Sequence, residues 1–115
     1  MSELVEIAIL AYRNARYRDA IELLLQVTDT DAGNWMARMY LGMSYEKTGR
    51  IADAHRMFKR ITAQCTDEHI RAKAETALPL LEAEMRRRFQ KESIPTAQKK
   101  NGTSNTSYDD MVWLG

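Results

Sequence analysis

The sequence predicts an all-α fold, an array of helical hairpins made of two repeats and a capping helix. The first observation is a recurrence: Ala20 and Ala54 lie thirty-four residues apart, and the apolar and small residues around them repeat at the same offset. The second is that apolar residues fall every three or four positions, as on one face of an α-helix. The third is composition, since 44% hydrophobic and 29% charged residues in 115 positions are typical of one globular domain.

The first repeat, residues 1–34, is predicted to be one helical hairpin. Apolar residues recur at helical spacing over residues 3–14 and again over residues 17–28. Asn14–Arg16 leaves room only for a tight turn between antiparallel neighbours. Residues 28–34 are rich in Thr, Asp, Gly and Asn, so they end the pattern and supply N-cap oxygens for the next helix.

The second repeat, residues 35–68, is predicted to be a second hairpin of the same design. One helix covers Trp35–Lys47, Gly49 interrupts the pattern, and another helix covers Ile51–Gln64. Small residues at matching positions let helix axes approach closely, which gives the period a packing reason. The matched pairs are Ala8 with Gly42, Ala11 with Tyr45, Ala15 with Gly49, Tyr17 with Ile51, Leu24 with Phe58, and Val27 with Ile61.

A family resemblance rests on six residues of the second repeat: Leu41, Gly42, Tyr45, Gly49, Ala54 and Phe58. Through them the chain resembles the tetratricopeptide repeat. The first repeat has Ala where the second has Gly42, Tyr45 and Gly49, and neither repeat has the closing proline of the family pattern. The resemblance covers about residues 1–68 and implies a right-handed array that binds other proteins.

A capping helix is predicted over residues 67–91. Thr66 and Asp67 can cap its start, and an apolar stripe runs along it while the other side is charged. Such a helix covers the apolar end that a repeat array otherwise exposes. Pro79 lies inside the pattern and removes a helical hydrogen bond. We expect a kink over residues 75–79, and a break into two helices is the alternative.

The C-terminal part divides into a linker and a short motif. Residues 92–107 carry too little apolar surface to offset the entropy of ordering, so we expect a flexible linker. Over residues 108–115 the composition changes abruptly to apolar side chains around two acids, and a Trp anchor in such a setting is typical of binding hot spots. A frayed terminus without a role is the alternative. The motif residues are Tyr108, Asp109, Asp110, Met111, Trp113 and Leu114.

The sequence contains no constellation of catalytic residues, so we expect no enzyme, no metal and no cofactor. His55 and His69 are not paired by a spacing that suggests a metal or general-base site. The single Cys65 cannot form an internal disulfide, and the nearby acids Asp67 and Glu68 disfavour its thiolate. The run Arg86–Arg88 could contact phosphates, but cations in the last turns of a helix also complement its dipole.

Charge and hydropathy set the expected partners and compartment. A formal net charge of +1 gives no field that would favour nucleic acid or an anionic membrane. The N-terminus carries Glu3 and Glu6 where a signal peptide would carry lysines, and no apolar run is long enough for a membrane span. We therefore expect a cytoplasmic protein whose partners are other proteins.

The family resemblance places a concave groove on the first helix of each hairpin. A groove rich in methionine suits an adaptable apolar partner, whereas methionines that only fill the core are the alternative. Some family members bind acidic chaperone tails with a clamp of Lys, Asn and Arg, but here Val5, Ile9 and Tyr40 occupy clamp positions and only Lys73 fits. The expected groove residues are Val5, Ile9, Tyr12, Met36, Met39, Met43 and Glu46, and the resemblance also places Ser2 on the same face.

These expectations combine into an adaptor or assembly factor. The groove would bind a protein segment, either an apolar peptide or an amphipathic helix, and the tail motif would bind a second partner or dock in the groove itself. The alternative is a small chaperone that holds an aggregation-prone helix, as in secretion systems. The oligomeric state is left open by the sequence.

Overall fold

The structure is a computed structural model that describes residues 3–93, with the side chains of residues 3–90, and over this range it consists of five α-helices. The all-α prediction is confirmed. Ser2 of the groove, the linker from residue 94 onward and the whole tail motif lie outside the described residues. The helices are α1 (Glu3–Arg13), α2 (Tyr17–Thr30), α3 (Trp35–Lys47), α4 (Ile51–Gln64) and α5 (Glu68–Ser93).

Consecutive helices pack against each other as hairpins. Helix α1 packs on α2, α2 on α3 and α3 on α4, and α1 also contacts α3. Each helix buries residues three or four positions apart, as its apolar spacing predicts. Side chains with essentially no exposed surface form the core: Val5, Ala8, Ala20, Leu24, Ala37, Leu41, Ala54, Phe58, Ile61 and Ala74.

The turns of the two hairpins have the same geometry. Ala15 and Gly49 hold the equivalent positions, and both have a left-handed backbone, with φ of 61° and 82°. In each turn the following N–H donates across the turn to a carbonyl near the end of the preceding helix, an arrangement that satisfies helix carbonyls in a Schellman motif. The two bonds are 2.8 Å long, Arg16 to Ala11 and Arg50 to Tyr45.

The start of the second helix in each hairpin repeats an ion pair. Arg16 Nε donates to Asp19 Oδ2 at 2.9 Å, and Arg50 Nε donates to Asp53 Oδ2 at the same distance. Both pairs join residues three positions apart, and both aspartates lie in the first turn of their helix, where a carboxylate complements the helix dipole. The thirty-four-residue period therefore extends to side-chain contacts.

The connection between the hairpins is held by polar groups. The Asn34 side chain caps α3 by accepting from the Ala37 backbone N–H at 3.0 Å, as the sequence predicts. Arg38 is buried, and its Nε donates to the Ala32 carbonyl at 2.8 Å while its guanidinium lies 5.4 Å from the Trp35 ring centre. Burial lowers the pKa of the Arg38 guanidinium. Its contacts tie the loop between α2 and α3 to the core.

Helix α5 begins at a cap and continues through Pro79. Asp67 Oδ1 accepts from the backbone N–H groups of His69 and Ile70 at 2.9 and 3.2 Å, which confirms the predicted cap. The alternative of a break into two helices is wrong, because one helix runs from Glu68 to Ser93 with Pro79 inside it. Buried Ala74 and Leu81 lie on either side of Pro79, and this packing favours the helix there. The kink stays a prediction.

The chain divides into two units, Met1–Ala83 and Glu84–Gly115. The first contains α1 to α4 and the greater part of α5. In the described part of the second, Glu84 forms ion pairs with Arg87 and Arg88 on its own helix, the latter at 2.9 Å. Across the described residues no helix is long and apolar enough to cross a membrane.

Candidate protein-binding site

The predicted groove residues lie on α1 and α3 and differ widely in burial. Val5 is fully buried, and Ile9 and Met39 are almost so. Their side chains contribute to the hydrophobic core and present almost no surface to a partner. For Met39, the structure therefore favours the core-filling alternative over a direct contact.

The accessible part of this region is smaller than the predicted groove and lies mainly along α3. Met36 is 37% exposed, Met43 is half-buried and Glu46 is exposed. Half-buried Tyr40 lies four residues after Met36 and three before Met43, so it belongs to the same side of the helix. On α1, half-buried Tyr12 is the accessible residue of the predicted set.

Tyr12 joins α1 to α3 through aromatic contacts. Its ring centre lies 5.4 Å from that of Tyr40 on α3, with the ring planes at 78°. It lies equally far from the Tyr17 ring at the start of α2, with the planes at 64°. Edge-to-face pairs of this kind contribute about 0.5–1.5 kcal/mol beyond the area they bury. They hold the Tyr12 ring in place beside the α3 stripe.

The electrostatic setting of Tyr12 keeps its hydroxyl neutral. Burial raises the pKa of the Tyr12 hydroxyl, and the neighbouring Tyr17, Glu46 and Tyr40 raise it further. A neutral phenol can both donate and accept a hydrogen bond at neutral pH. We call Tyr12, Met36, Tyr40, Met43 and Glu46 the concave site, after the groove that the family resemblance predicts; these residues combine apolar surface with hydroxyls and one carboxylate.

The family resemblance places Tyr40 at a clamp position, but the expected set of groove residues does not include it. Helical spacing relates Met36, Met39 and Met43, and it relates Met36, Tyr40 and Met43 equally well. Only the observed burial distinguishes the two stripes, because it shows Met39 in the core. The Tyr12–Tyr40 contact joins residues that are not related by the thirty-four-residue period.

The remaining chemically active side chains form structural contacts. His55 Nε2 lies 3.1 Å from Glu82 Oε2 and so links α4 to α5. Cys65 is buried, and its thiol donates to the Asp67 carbonyl at 3.6 Å. Among the described residues there is no group of three or more His, Cys, Asp or Glu side chains that could hold a metal ion.

Comparison with known families agrees with this architecture. The family model described as a tetratricopeptide repeat matches residues 11–78, which is more than half of the chain. The chain belongs to the tetratricopeptide repeat family. The match begins near the end of α1 and extends into α5, so it includes all of α2, α3 and α4. No curated protein and no solved structure shows significant similarity to the chain.

Membership of the tetratricopeptide repeat family gives the general role. Repeats of this family are typically protein-interaction modules without catalytic activity, so the chain has a role in protein–protein interaction. The packed hairpins and their accessible side chains provide the surface for such a role.

Proposed function

We propose that the protein is an adaptor or assembly factor that binds an apolar segment of another protein at the concave site. The observation that carries the proposal is the accessible stripe Met36, Tyr40 and Met43 on α3, joined to α1 through the edge-to-face contact of Tyr12 with Tyr40. Flexible thioethers beside a fixed aromatic pair suit a surface that accepts varied apolar side chains.

The composition of the concave site favours an apolar partner over an acidic one. Its only charged member is the carboxylate of Glu46, which repels acidic peptides and accepts hydrogen bonds from neutral or basic groups. Fully burying one Met or aromatic side chain contributes about 1.5–3 kcal/mol. Because association itself costs several kcal/mol and the methionines are already partly buried, the net affinity depends on how many anchors the partner buries.

The repeat period supports a continuation of the site onto α5. Leu80 follows Glu46 by thirty-four residues, as Glu46 follows Tyr12, and it is 68% exposed. An exposed leucine of this size is a candidate contact for an apolar partner. An amphipathic helix or an extended peptide longer than one hairpin would then reach Leu80 as well.

The tail motif is the second element of the proposal. Tyr108, Met111, Trp113 and Leu114 are the apolar side chains that such a site accepts, and Asp109 with Asp110 distinguishes the motif from a plain apolar peptide. We propose that the motif binds a second partner or occupies the concave site in competition with the first. Linkage of two binding elements raises the effective concentration of the second.

The concave site is tested by charge insertion. The full chain is immobilised, a random-peptide library is selected on it, and the affinity of selected peptides is measured for wild type, Met43→Glu and the control Leu25→Glu. Leu25 is an apolar residue on α2 outside the concave site; it is 40% exposed, somewhat more than half-buried Met43. We expect apolar peptides whose affinity falls at least about tenfold with Met43→Glu and is unchanged with Leu25→Glu. Equal binding by all three proteins contradicts the proposal.

Met43→Glu is preferred to Met39→Glu because Met39 is buried, and a buried carboxylate would destabilise the fold itself. Circular dichroism of each variant checks that helicity is retained. Deleting residues 108–115 tests the tail: an adaptor loses a partner in a pull-down or binds selected peptides more tightly. A chaperone that only holds an aggregation-prone helix suppresses aggregation of that helix equally well without the tail.

A further inference from the structure

The outer side of α1 carries an apolar pair that no other helix covers within residues 3–93. Ile7 is 48% exposed and Leu10 is 57% exposed, and both contribute to an open groove of about 340 Å³ between α1 and α2. Leu23 of α2 and Ala11 also line this groove, and its polar lining residues are Asn14, Arg16, Asp19 and Glu22. Large aliphatic side chains grouped in this way on a surface are typical of interaction sites.

The second hairpin shows how the equivalent surface is covered. Leu41 and Ser44, thirty-four residues after Ile7 and Leu10, are fully buried. Helix α3 differs from α1 in that a preceding helix, α2, packs against it. The repeat geometry thus covers this side of α3 with α2, and among the described helices none takes the equivalent place on α1.

The charges along the same side of α1 are acidic at one end and basic at the other, so an antiparallel second copy of the helix would face them with opposite charges. Exposed Glu3 and Glu6 precede the apolar pair and exposed Arg13 follows it, at spacings of three or four residues that keep all five side chains on one side. For these three charged residues the described part of the chain contains no ion pair with another side chain. Glu3 and Arg13 are about 15 Å apart along the helix.

The apolar pair and the charged residues on this side of α1 have the same midpoint along the helix. The midpoint between Ile7 and Leu10 falls between residues 8 and 9, and the midpoint between the acidic pair and Arg13 falls at the same place to within one residue. The acids at the start of α1 and the arginine at its end also interact favourably with the dipole of α1 itself. Charge placement alone would therefore not indicate a partner. The coincidence with the exposed apolar pair is what a twofold axis through this point requires.

We propose that this outer face of α1, formed by Glu3, Glu6, Ile7, Leu10 and Arg13, binds the same face of a second copy of the chain. In the resulting dimer the two α1 helices are antiparallel. Ile7 of each copy packs near Leu10 of the other, and Glu3 and Glu6 of each copy lie beside Arg13 of the other. The proposal does not depend on the concave site.

A head-to-tail association is a poorer match to the same surface. An open pocket along α5 is lined by His69, Ala72, Lys73 and Thr76, which are exposed and mostly polar. This pocket provides no apolar counterpart for Ile7 and Leu10 and no acidic group for Arg13, and the exposed Leu80 and Phe89 of the same helix do not line it. Self-complementarity therefore favours the closed dimer over an open chain of copies.

The first experiment measures the dimer directly. Sedimentation equilibrium of the full chain, from about 1 μM to about 1 mM, is carried out on wild type, Leu10→Glu and the control Leu25→Glu. We expect a monomer–dimer equilibrium for wild type and Leu25→Glu, and a dissociation constant at least about 100-fold higher for Leu10→Glu, because the symmetric interface loses two leucines. Since Leu10 is more than half exposed, the monomer of this variant should keep its helicity.

The second experiment tests the antiparallel pairing by charge reversal. Glu3→Lys with Glu6→Lys, and separately Arg13→Glu, should each weaken the homodimer about tenfold, because like charges then face each other. An equimolar mixture of the two variants should form a heterodimer as stable as the wild-type dimer, because every facing pair is again opposite in sign. Increasing salt should weaken both the wild-type dimer and the heterodimer.

The outcomes separate this proposal from its alternatives and from the concave site. A wild-type protein that stays monomeric throughout, species larger than a dimer, or a dimer weakened equally by Leu10→Glu and Leu25→Glu would each overturn it. Loss of the dimer with Leu10→Glu but no recovery in the charge-reversed mixture overturns the antiparallel arrangement. Met43→Glu should leave dimerisation unchanged, so failure of peptide capture and failure of dimerisation are distinguished.

Discussion

The hairpins α1–α2 and α3–α4 share their turns but differ in how their first helices are buried. Both turns place a left-handed residue at the same position, and both are followed by an Arg–Asp ion pair of the same length. Helix α3 lies between α2 and α4, whereas the outer side of α1 is open. The local structure of each repeat is therefore set within the repeat, and the burial of its first helix depends on the neighbouring repeat.

Residue type is a poor guide to burial in a short array. Ile7 and Leu41 are aliphatic side chains of the same size at equivalent positions, and one is half exposed while the other is fully buried. Leu10 and Ser44 are also at equivalent positions, and here the polar Ser44 is buried while the apolar Leu10 is exposed. Ser44 Oγ has no hydrogen-bond partner in the described structure, so a polar contact does not explain its burial.

Truncation of the matched aliphatic residues should show the largest difference between the hairpins. Leu41→Ala removes a fully buried side chain between packed helices, so we expect the free energy of unfolding to fall by about 2–5 kcal/mol. Ile7→Ala removes a half-exposed side chain and should lower it by less than about 1 kcal/mol in the monomer. Urea denaturation followed by circular dichroism at low protein concentration measures both values.

Low concentration serves as the control in this comparison, because dimerisation through α1 would add concentration-dependent stability that Ile7→Ala also removes. If the two substitutions destabilise the monomer equally, then α2 does not provide the burial that distinguishes α3 from α1. The difference between the hairpins would then have to arise within each helix.

The contact between the helices of each hairpin provides a second comparison. A Cβ on Gly42 would lie 3.0 Å from the Phe58 ring, which is itself buried, whereas the first hairpin has Ala8 and Leu24 at these positions. We expect Gly42→Ala to destabilise the protein by about 1–2 kcal/mol, since overpacking outweighs the better helix propensity of Ala. In a Phe58→Leu background the same substitution should stabilise by up to about 1 kcal/mol, because only the propensity gain remains.

A double-mutant cycle with denaturation measurements on the four proteins gives the coupling energy of this pair. The decisive result is the change of sign of the Gly42→Ala effect between the two backgrounds. The double variant places in the second hairpin the Ala–Leu pair that the first hairpin already has. A penalty for Gly42→Ala that is the same in both backgrounds would show that something other than the Phe58 ring restricts position 42.

The local structure was predictable from the sequence because its causes lie close together in the chain. Asn34 and Asp67 each bond to backbone groups two or three residues away, and these caps were predicted with their helices. The starts of the first four helices agree with the apolar periodicity, while α2 continues to Thr30, beyond the predicted end. The Thr30 hydroxyl donates to the Gln26 and Val27 carbonyls, which stabilises the added turn.

The composition of the concave site was harder to predict because burial depends on which helices meet. Periodicity places Met39 and Tyr40 at the edge of one helix face, but it does not show that Met39 enters the core or that Tyr40 meets Tyr12. The position of α1 against α3 decides both. Val5 and Ile9 are buried for the same reason, since α1 meets two helices and not one.

The two turns provide the smallest and most local comparison. Ala15 and Gly49 both adopt a left-handed backbone, with φ of 61° and 82°, which a side chain with Cβ disfavours by about 1 kcal/mol. Gly49→Ala should therefore lower the free energy of unfolding by about 1 kcal/mol. Ala15→Gly should raise it by about 0.5–1 kcal/mol, because the relief of backbone strain in the folded state exceeds the effect of the added entropy of the unfolded chain. No atoms lie within 4 Å of a Cβ built on Gly49, so the first effect comes from the backbone alone.

Thermal and urea unfolding of both variants check the opposite signs. A neutral or destabilising Ala15→Gly beside a destabilising Gly49→Ala would mean that contacts of the Ala15 methyl group offset its strain, and the two turns would be equivalent in geometry but not in energy.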